Sequence, residues 1–221
     1  IEFGVPFSDP IADGPVIQKA SSIALQNGMS FNRSLEILRD FRKNSSKNTP
    51  VIFFGAYNPF LCHGLEESAR DAAEAGADGF LAADLPVEES KEFSEYCAAN
   101  GLHLIPLIAP TSPSARIRRY NEVASGFMYC ISLKGITGAR AELPPDLEDY
   151  IARIRAETKL PLCVGFGIST PRQARQVASV ADGIVIGSAL IKLIERCQKE
   201  KLDLEKEVAA YVQSMAAELK K

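Results

Sequence analysis

From end to end the chain alternates short apolar runs with longer amphipathic stretches, and that alternation restricts its fold more than any other feature. The runs are IEFGV (1–5), VIFFGA (51–56), GFLAAD (79–84), HLIPLIA (103–109), FMYCIS (127–132), LCVGFG (162–167) and GIVIGS (183–188). Each is nearly continuous in β-branched, aromatic or small apolar residues, as a strand covered on both faces should be. Between them lie helical patterns such as EESKEFSEYCAAN, SARIRRYNEVAS and DLEDYIARIRAETK. Gly76, Gly101 and Gly126 stand where helices would end, while Ser114 and Asp146 stand where two would start and could accept from first-turn N–H groups. Strand–helix alternation of this kind builds a parallel sheet. Seven strands are counted, and the chain opens inside the first of them. The expectation is an α/β fold: a (β/α)8 barrel forming one domain over residues 1–221, with the first βα unit lying outside this sequence. A doubly wound open sheet is the alternative, and it does not account for the opening inside a strand. The stretch Leu202 to Leu219 has helical period and is expected to pack as a closing helix.

Charge and cysteine content narrow the function classes. Lys and Arg total 25 against 28 Asp and Glu, a formal charge of -3, which suits neither a nucleic-acid binder nor a polybasic membrane binder. No apolar run approaches the ~20 residues that a spanning helix needs. The five cysteines are odd in number and include no CxxC pair. Cys62 is expected in a loop, Cys97 and Cys197 in helices, Cys130 and Cys163 in strands, so no repeated structural slot recurs. Reduced thiols without a zinc site point to the cytoplasm, with a plastid stroma as the other compartment that fits. His63 and His103 are far apart in sequence and form no metal cluster; His103 is expected at a strand edge.

Three stretches could carry chemistry. In IEFGVPFSDPIADGPVIQ, strand alternation puts Ile1 and Phe3 on one face and Glu2 and Gly4 on the other. If the bulky pair faces outer helices, Glu2 lines the barrel interior, where burial would raise its pKa and suit it to acid/base work. The strand pattern alone favours a simpler reading, a solvated residue at a chain end. Pro6, Pro10 and Pro15 with Gly14 make a stiff loop carrying Asp9 and Asp13. Asp13 reads either as a helix cap or turn residue, or as a second carboxylate over the barrel mouth. The second stretch, GITGAR (135–140), suggests a glycine-bordered loop with Thr137 at its tip, and Tyr129 precedes it inside a strand. The third feature is a pair of glycine turns, GFGIS (165–169) and IGSA (186–189), after the last two strands. Backbone amides there favour a phosphate, a recurrent arrangement in barrels. The run DLPVEE (84–89) reads as a strand exit followed by an acidic first helical turn.

With these residues assembled, the chain closely resembles the tryptophan synthase α-subunit family. The resemblance runs through PFSDPIADGPVIQ, AYNP (56–59), DGFLAADLPVEE (78–89), IAPTSP (108–113), GFMYCISLKGITGAR (126–140), LCVGFGIS (162–169) and ADGIVIGSA (181–189). It implies a lyase that cleaves indole-3-glycerol phosphate to indole and glyceraldehyde 3-phosphate. Glu2 then matches the acid/base glutamate and Asp13 the carboxylate that stabilises the indolenine. Thr137 resembles a lid threonine, and Tyr129 the pocket tyrosine beside the glutamate. Gly138, Phe166, Gly167, Gly187 and Ser188 resemble the phosphate contacts, and Leu81 and Ala83 match positions along the indole slot. The family resemblance also implies an α2β2 assembly in which indole passes to a β-subunit holding pyridoxal phosphate. Asp9, Pro10 and Asn58 match its docking loops, and this chain itself is expected to need no cofactor or metal. A different phosphate-binding barrel enzyme, an isomerase or decarboxylase, would explain the glycine turns but not the two carboxylates with Thr137. A non-catalytic activator of the β-subunit would leave Glu2 and Asp13 unexplained.

Overall fold

The computed structural model describes residues 1–45, 48–131, 145–165 and 167–219. Strands β1 (Glu2–Gly4), β2 (Ile52–Gly55), β3 (Gly79–Ala82) and β4 (His103–Leu104) form one parallel sheet in that order. Strands β5 (Leu107–Ile108), β6 (Met128–Ile131), β7 (Leu162–Gly165) and β8 (Gly183–Ile184) form a second. Helices α1 (Pro15–Gln26), α2 (Phe31–Asn44), α3 (Tyr57–His63), α4 (Leu65–Ala75), α5 (Lys91–Ala99), α6 (Ser114–Tyr120), α7 (Leu147–Arg155), α8 (Pro171–Ala178), α9 (Ser188–Glu200) and α10 (Leu204–Ala216) connect and follow them. Two compact units result. The first holds Ile1–Ala12, Ser21–Leu107 and Arg118–Phe127; the second holds Asp13–Ala20, Ile108–Ile117 and Met128–Lys221.

Two expected strands change shape. The run 103–109 is not continuous: its first half closes the first sheet as β4 and its second half opens the second as β5. Pro106, which has no N–H to give a ladder, stands at the break. The run 183–188 is strand only to Ile184; Val185 makes one further bond, its N–H to the Val164 carbonyl, and β7 ends one residue beyond that partner. Helix positions shift as well. Cys62 and Asn58, expected in loops, lie in α3. Its first N–H, from Tyr57, donates to the Asp84 carboxylate at 2.6 Å, and Pro59 falls in the first turn, where a missing N–H is harmless. Asp146 precedes α7 without capping it through its side chain, because its φ/ψ of -91°/10° is not the extended geometry a cap requires. Ser114 is the first residue of α6, and the Pro113 carbonyl before it accepts from Arg116 and Ile117. Gly76 ends α4 in the left-handed region, as expected.

In the first unit, parallel register aligns Phe3 with Phe53 and Phe53 with Phe80. This stripe faces the helices, meeting Phe31 of α2, Phe60 of α3 and Phe93 of α5 in one aromatic core. Phe3 behaves as the alternation requires; Ile1, at the strand's open end, stays 62% exposed. In the second unit, register pairs Met128 with Leu162, Cys130 with Val164 and Tyr129 with Cys163. Met128, Cys130, Leu162 and Val164 are fully buried, as are Ile154 of α7 and Ala174 and Val177 of α8.

A device invisible in the apolar pattern recurs at the start of each sheet. Asp78 donates its N–H to the Val51 carbonyl at 2.7 Å and accepts the Val51 N–H on its carboxylate at 2.7 Å. Arg42 of α2 donates to the same carboxylate at 2.9 Å and to the carbonyls of Gly76 and Thr49. Asp182 repeats the reciprocal pair with Leu162, and Arg155 of α7 joins its carboxylate and the Leu160 carbonyl. Both aspartates sit in Ala-Asp-Gly, at 77–79 and 181–183. Asp78→Ala removes the acceptor for Val51 and the counter-charge of Arg42, and is expected to cost about 1–3 kcal/mol in urea unfolding. A midpoint unchanged from the parent would show that the clasp contributes nothing.

Candidate active site

Glu2 owes its direction to its neighbour. Phe3 stacks on Phe53 with ring centroids 5.8 Å apart and packs against the helix-facing core, so β1 turns Glu2 to the opposite face. There Glu2 Oε1 is buried and has no hydrogen-bond partner among the described residues. Burial pushes the carboxyl up to about 7. On the same face, register runs from Gly4 to Phe54 to Leu81. Leu81 is fully buried. Ala83, the next residue of that face past the end of β3, donates its N–H to the Gly55 carbonyl at 2.8 Å. Glu2, Leu81 and Ala83 are therefore brought to one apolar face. Phe54 stands on it too and was not singled out from sequence; only its register with Gly4 and Leu81 identifies it.

Asp9, Pro10 and Asn58 also belong to the first unit. Asp9 is exposed and accepts from the Ser8 hydroxyl, and Asn58 is exposed on α3. Ile11, beside Pro10, is 83% exposed, and Leu61, one turn beyond Asn58, is exposed as well.

The second unit holds Asp13, Tyr129, Gly167, Gly187 and Ser188. Asp13 is not the cap of α1. The Gly14 carbonyl accepts the Gln18 N–H at 3.0 Å, which gives Gly14 the cap position, and the Asp13 carbonyl accepts from the Gln18 side chain at 2.8 Å. Tyr129 is buried and lies over Gly165: a methyl group on that glycine would overlap the phenol. Gly167 has φ 84°, a conformation that excludes most side chains. Gly187 caps α9 and Ser188 begins it; among the described residues, Ile17 Cδ1 of α1 comes nearest to the space above Gly187, 3.9 Å from where a Cβ would stand. Free N–H groups at the start of this 13-residue helix favour an anion. Thr137, Gly138 and Phe166 lie outside the described residues. Among the described residues no three His, Cys, Asp or Glu side chains gather as a metal-ligating group, and no helix is long and apolar enough to cross a membrane.

Comparison with known proteins gives one answer. The family model for the tryptophan synthase alpha chain matches residues 1–220. A tryptophan synthase alpha chain of Roseiflexus sp. (strain RS-1) is 49% identical over 195 residues, covering 88% of this chain and 74% of the relative. That of Geobacter sulfurreducens is 46% identical, covering 97% and 80%. Among solved structures, tryptophan synthase subunit alpha from Legionella pneumophila str. Paris matches with a TM-score of 0.90 at 40% identity, covering 99% of this chain and 80% of that one. A structure of the a2b2 tryptophan synthase complex from the hyperthermophile Pyrococcus furiosus matches with a TM-score of 0.85 at 36% identity, covering 96% and 86%. The fold class is accordingly the α/β (β/α)8 barrel.

The raised Glu2 pKa carries a sign that stability measurements can read. The folded protein holds this proton more tightly than the unfolded chain, whose carboxyl titrates near 4.5. Its contribution is fully present below that value and is lost as pH rises through about 7. Between these limits the parent should lose up to about 3 kcal/mol relative to Glu2→Gln, measured by urea unfolding at each pH. Parallel profiles for the two proteins would contradict the burial of this carboxyl.

Proposed function

The chain belongs to the tryptophan synthase alpha chain family, a family of lyases, and on that premise we propose that it cleaves indole-3-glycerol phosphate to indole and glyceraldehyde 3-phosphate. The observation that carries this reading is Glu2 Oε1, buried and without a hydrogen-bond partner among the described residues, on a carboxyl pushed up to about 7 and set on the sheet face that Phe54 and Leu81 share. A group that is half protonated at working pH can give a proton and take one back. Glu2 protonates the indole ring carbon that bears the side chain. Asp13 accepts from the ring N–H and stabilises the positive indolenine. Glu2 then removes the proton of the side-chain hydroxyl next to the ring; the C–C bond breaks, its electron pair restores the aromatic indole, and the hydroxyl carbon becomes the aldehyde. The net proton passes from hydroxyl to ring carbon, so Glu2 ends as it began.

The apolar face supplies the ring's surroundings: Leu81, Ala83 and Phe54 offer no hydrogen bonds that would compete with Glu2. Tyr129 is assigned to the pocket wall, seated in the space that Gly165 leaves. The phosphate is assigned to Gly167, Gly187 and Ser188 together with Gly138 and Phe166, and Thr137 is assigned to a hydrogen bond with Asp13. The family's a2b2 complex from Pyrococcus furiosus supports a β-subunit as partner. Asp9, Pro10 and Asn58 would meet it, beside the exposed Ile11 and Leu61. Pyridoxal phosphate chemistry belongs to that partner, and the cleavage step draws on this chain's side chains alone.

The test is Glu2→Gln, which keeps size and removes the titratable proton. Indole release should fall by about 10²–10⁴-fold, the range for a lost general acid/base, while affinity for indole-3-glycerol phosphate changes little. Unaltered turnover would reject the assignment.

A further inference from the structure

Resting on the reading that the turn after β7 holds the substrate's phosphate, we propose that Gln173 and Tyr211 are positioning residues for that turn, gripping Ser169 by its two backbone groups. Gln173 is the third residue of α8 and is only 3% exposed. Its Oε1 accepts from the Thr170 N–H at 3.1 Å while Thr170 Oγ1 accepts the Gln173 N–H at 3.3 Å, a capping box. The same oxygen reaches one residue further than a capping box needs. It accepts the Ser169 N–H at 2.9 Å and both hydroxyls, of Ser169 and Thr170, at 3.2 Å. On the other side, the Tyr211 hydroxyl of α10 donates to the Ser169 carbonyl at 3.2 Å. Burial raises the Tyr211 pKa, which keeps that hydroxyl protonated as a donor.

Capping α8 explains the bonds to Thr170 and leaves the three bonds to Ser169 unexplained. Ser169 lies two residues past Gly167, which sits at positive φ and, having no Cβ, leaves the peptide planes around it free to reorient. With both backbone groups of Ser169 held, that freedom is removed at one end, and the amides of the turn stay aimed before any anion arrives. Fixed donors bind an anion without reorganising, and that is where the affinity gain originates. Tyr211 is itself held in place: α10 packs on α8, and Arg175 of α8 pairs with Glu218 just beyond α10.

The experiment compares two non-cleavable ligands, indole-3-propanol phosphate and indole-3-propanol, on the parent, Gln173→Leu and Tyr211→Phe. Gln173→Leu removes the acceptor at similar volume; Tyr211→Phe removes only the hydroxyl. The expected result is a dissociation constant raised about tenfold by Gln173→Leu and about threefold by Tyr211→Phe for the phosphorylated ligand, with the phosphate-free ligand within about twofold. In turnover the same variants should raise KM and leave kcat nearly unchanged. Equal weakening of both ligands would reveal a general structural lesion and overturn the proposal. Should Gln173→Leu fail to fold, Tyr211→Phe decides by the same comparison. A parent that prefers the phosphorylated ligand, with neither variant altering that preference, overturns the positioning role alone. A parent that binds both ligands equally overturns the phosphate reading and the proposal with it.

Discussion

Everything proposed for the chemistry depends on one packing event: Phe3 stacked on Phe53 in the aromatic core of the first sheet. β1 is three residues long and has little ladder of its own to hold it. Its register with β2 is secured by packing one partly buried aromatic ring against the core, and the two-residue period then turns the neighbouring carboxylate to the other face. There Glu2 Oε1 finds no donor among the described residues, and desolvation is the largest influence on its proton affinity. A single hydrogen bond to that oxygen would have favoured the charged form and removed the carboxyl from the neutral range. The core thus fixes the acid/base group indirectly, by fixing what stands next to it.

Backbone placement in the second unit follows a different logic. Its candidate anion contacts are glycines and a helix start, positions that contribute amides rather than charged side chains. Such contacts depend on loop shape, because a backbone amide cannot reach out to a misplaced ligand. The side chains that shape it therefore matter as much as the amides. Gln173 and Tyr211 do for the turn after β7 what Phe3 does for Glu2: each fixes a neighbour that it does not resemble chemically. The Ala-Asp-Gly clasps serve the opposite ends of the strands, tying strand starts together through reciprocal bonds and a helix-borne arginine.

Much of this was legible in the sequence because it depends on local periodicity. The strand runs, the left-handed Gly76 and the facing of Glu2 against Phe3 all follow from residue type within a few positions. What escaped depends on partners far away in sequence. Asn58 and Cys62 read as loop because Ala56 offers no side-chain cap; the carboxylate that accepts the Tyr57 N–H is Asp84, 27 residues beyond Tyr57. Pro106 was plain to see, but nothing nearby shows that the strand on one side of it joins a different sheet from the strand on the other. Phe54 was hidden inside a run apolar on both faces, and only register with Gly4 and Leu81 assigns it to Glu2's side. Gln173 was not singled out from sequence; its hold on Ser169 appears only once the turn has its shape.

The central claim is a carboxyl held near neutral pKa by burial, and it can be observed directly. Protein labelled with 13C at the glutamate δ-carbons, titrated by NMR from about pH 4 to about pH 9, should show one resonance moving with a midpoint near 7 and missing from Glu2→Gln. A Glu2 resonance that titrates with the other glutamates, at about 4–5, would mean that the carboxyl is hydrated, and the acid/base role assigned to it would fall.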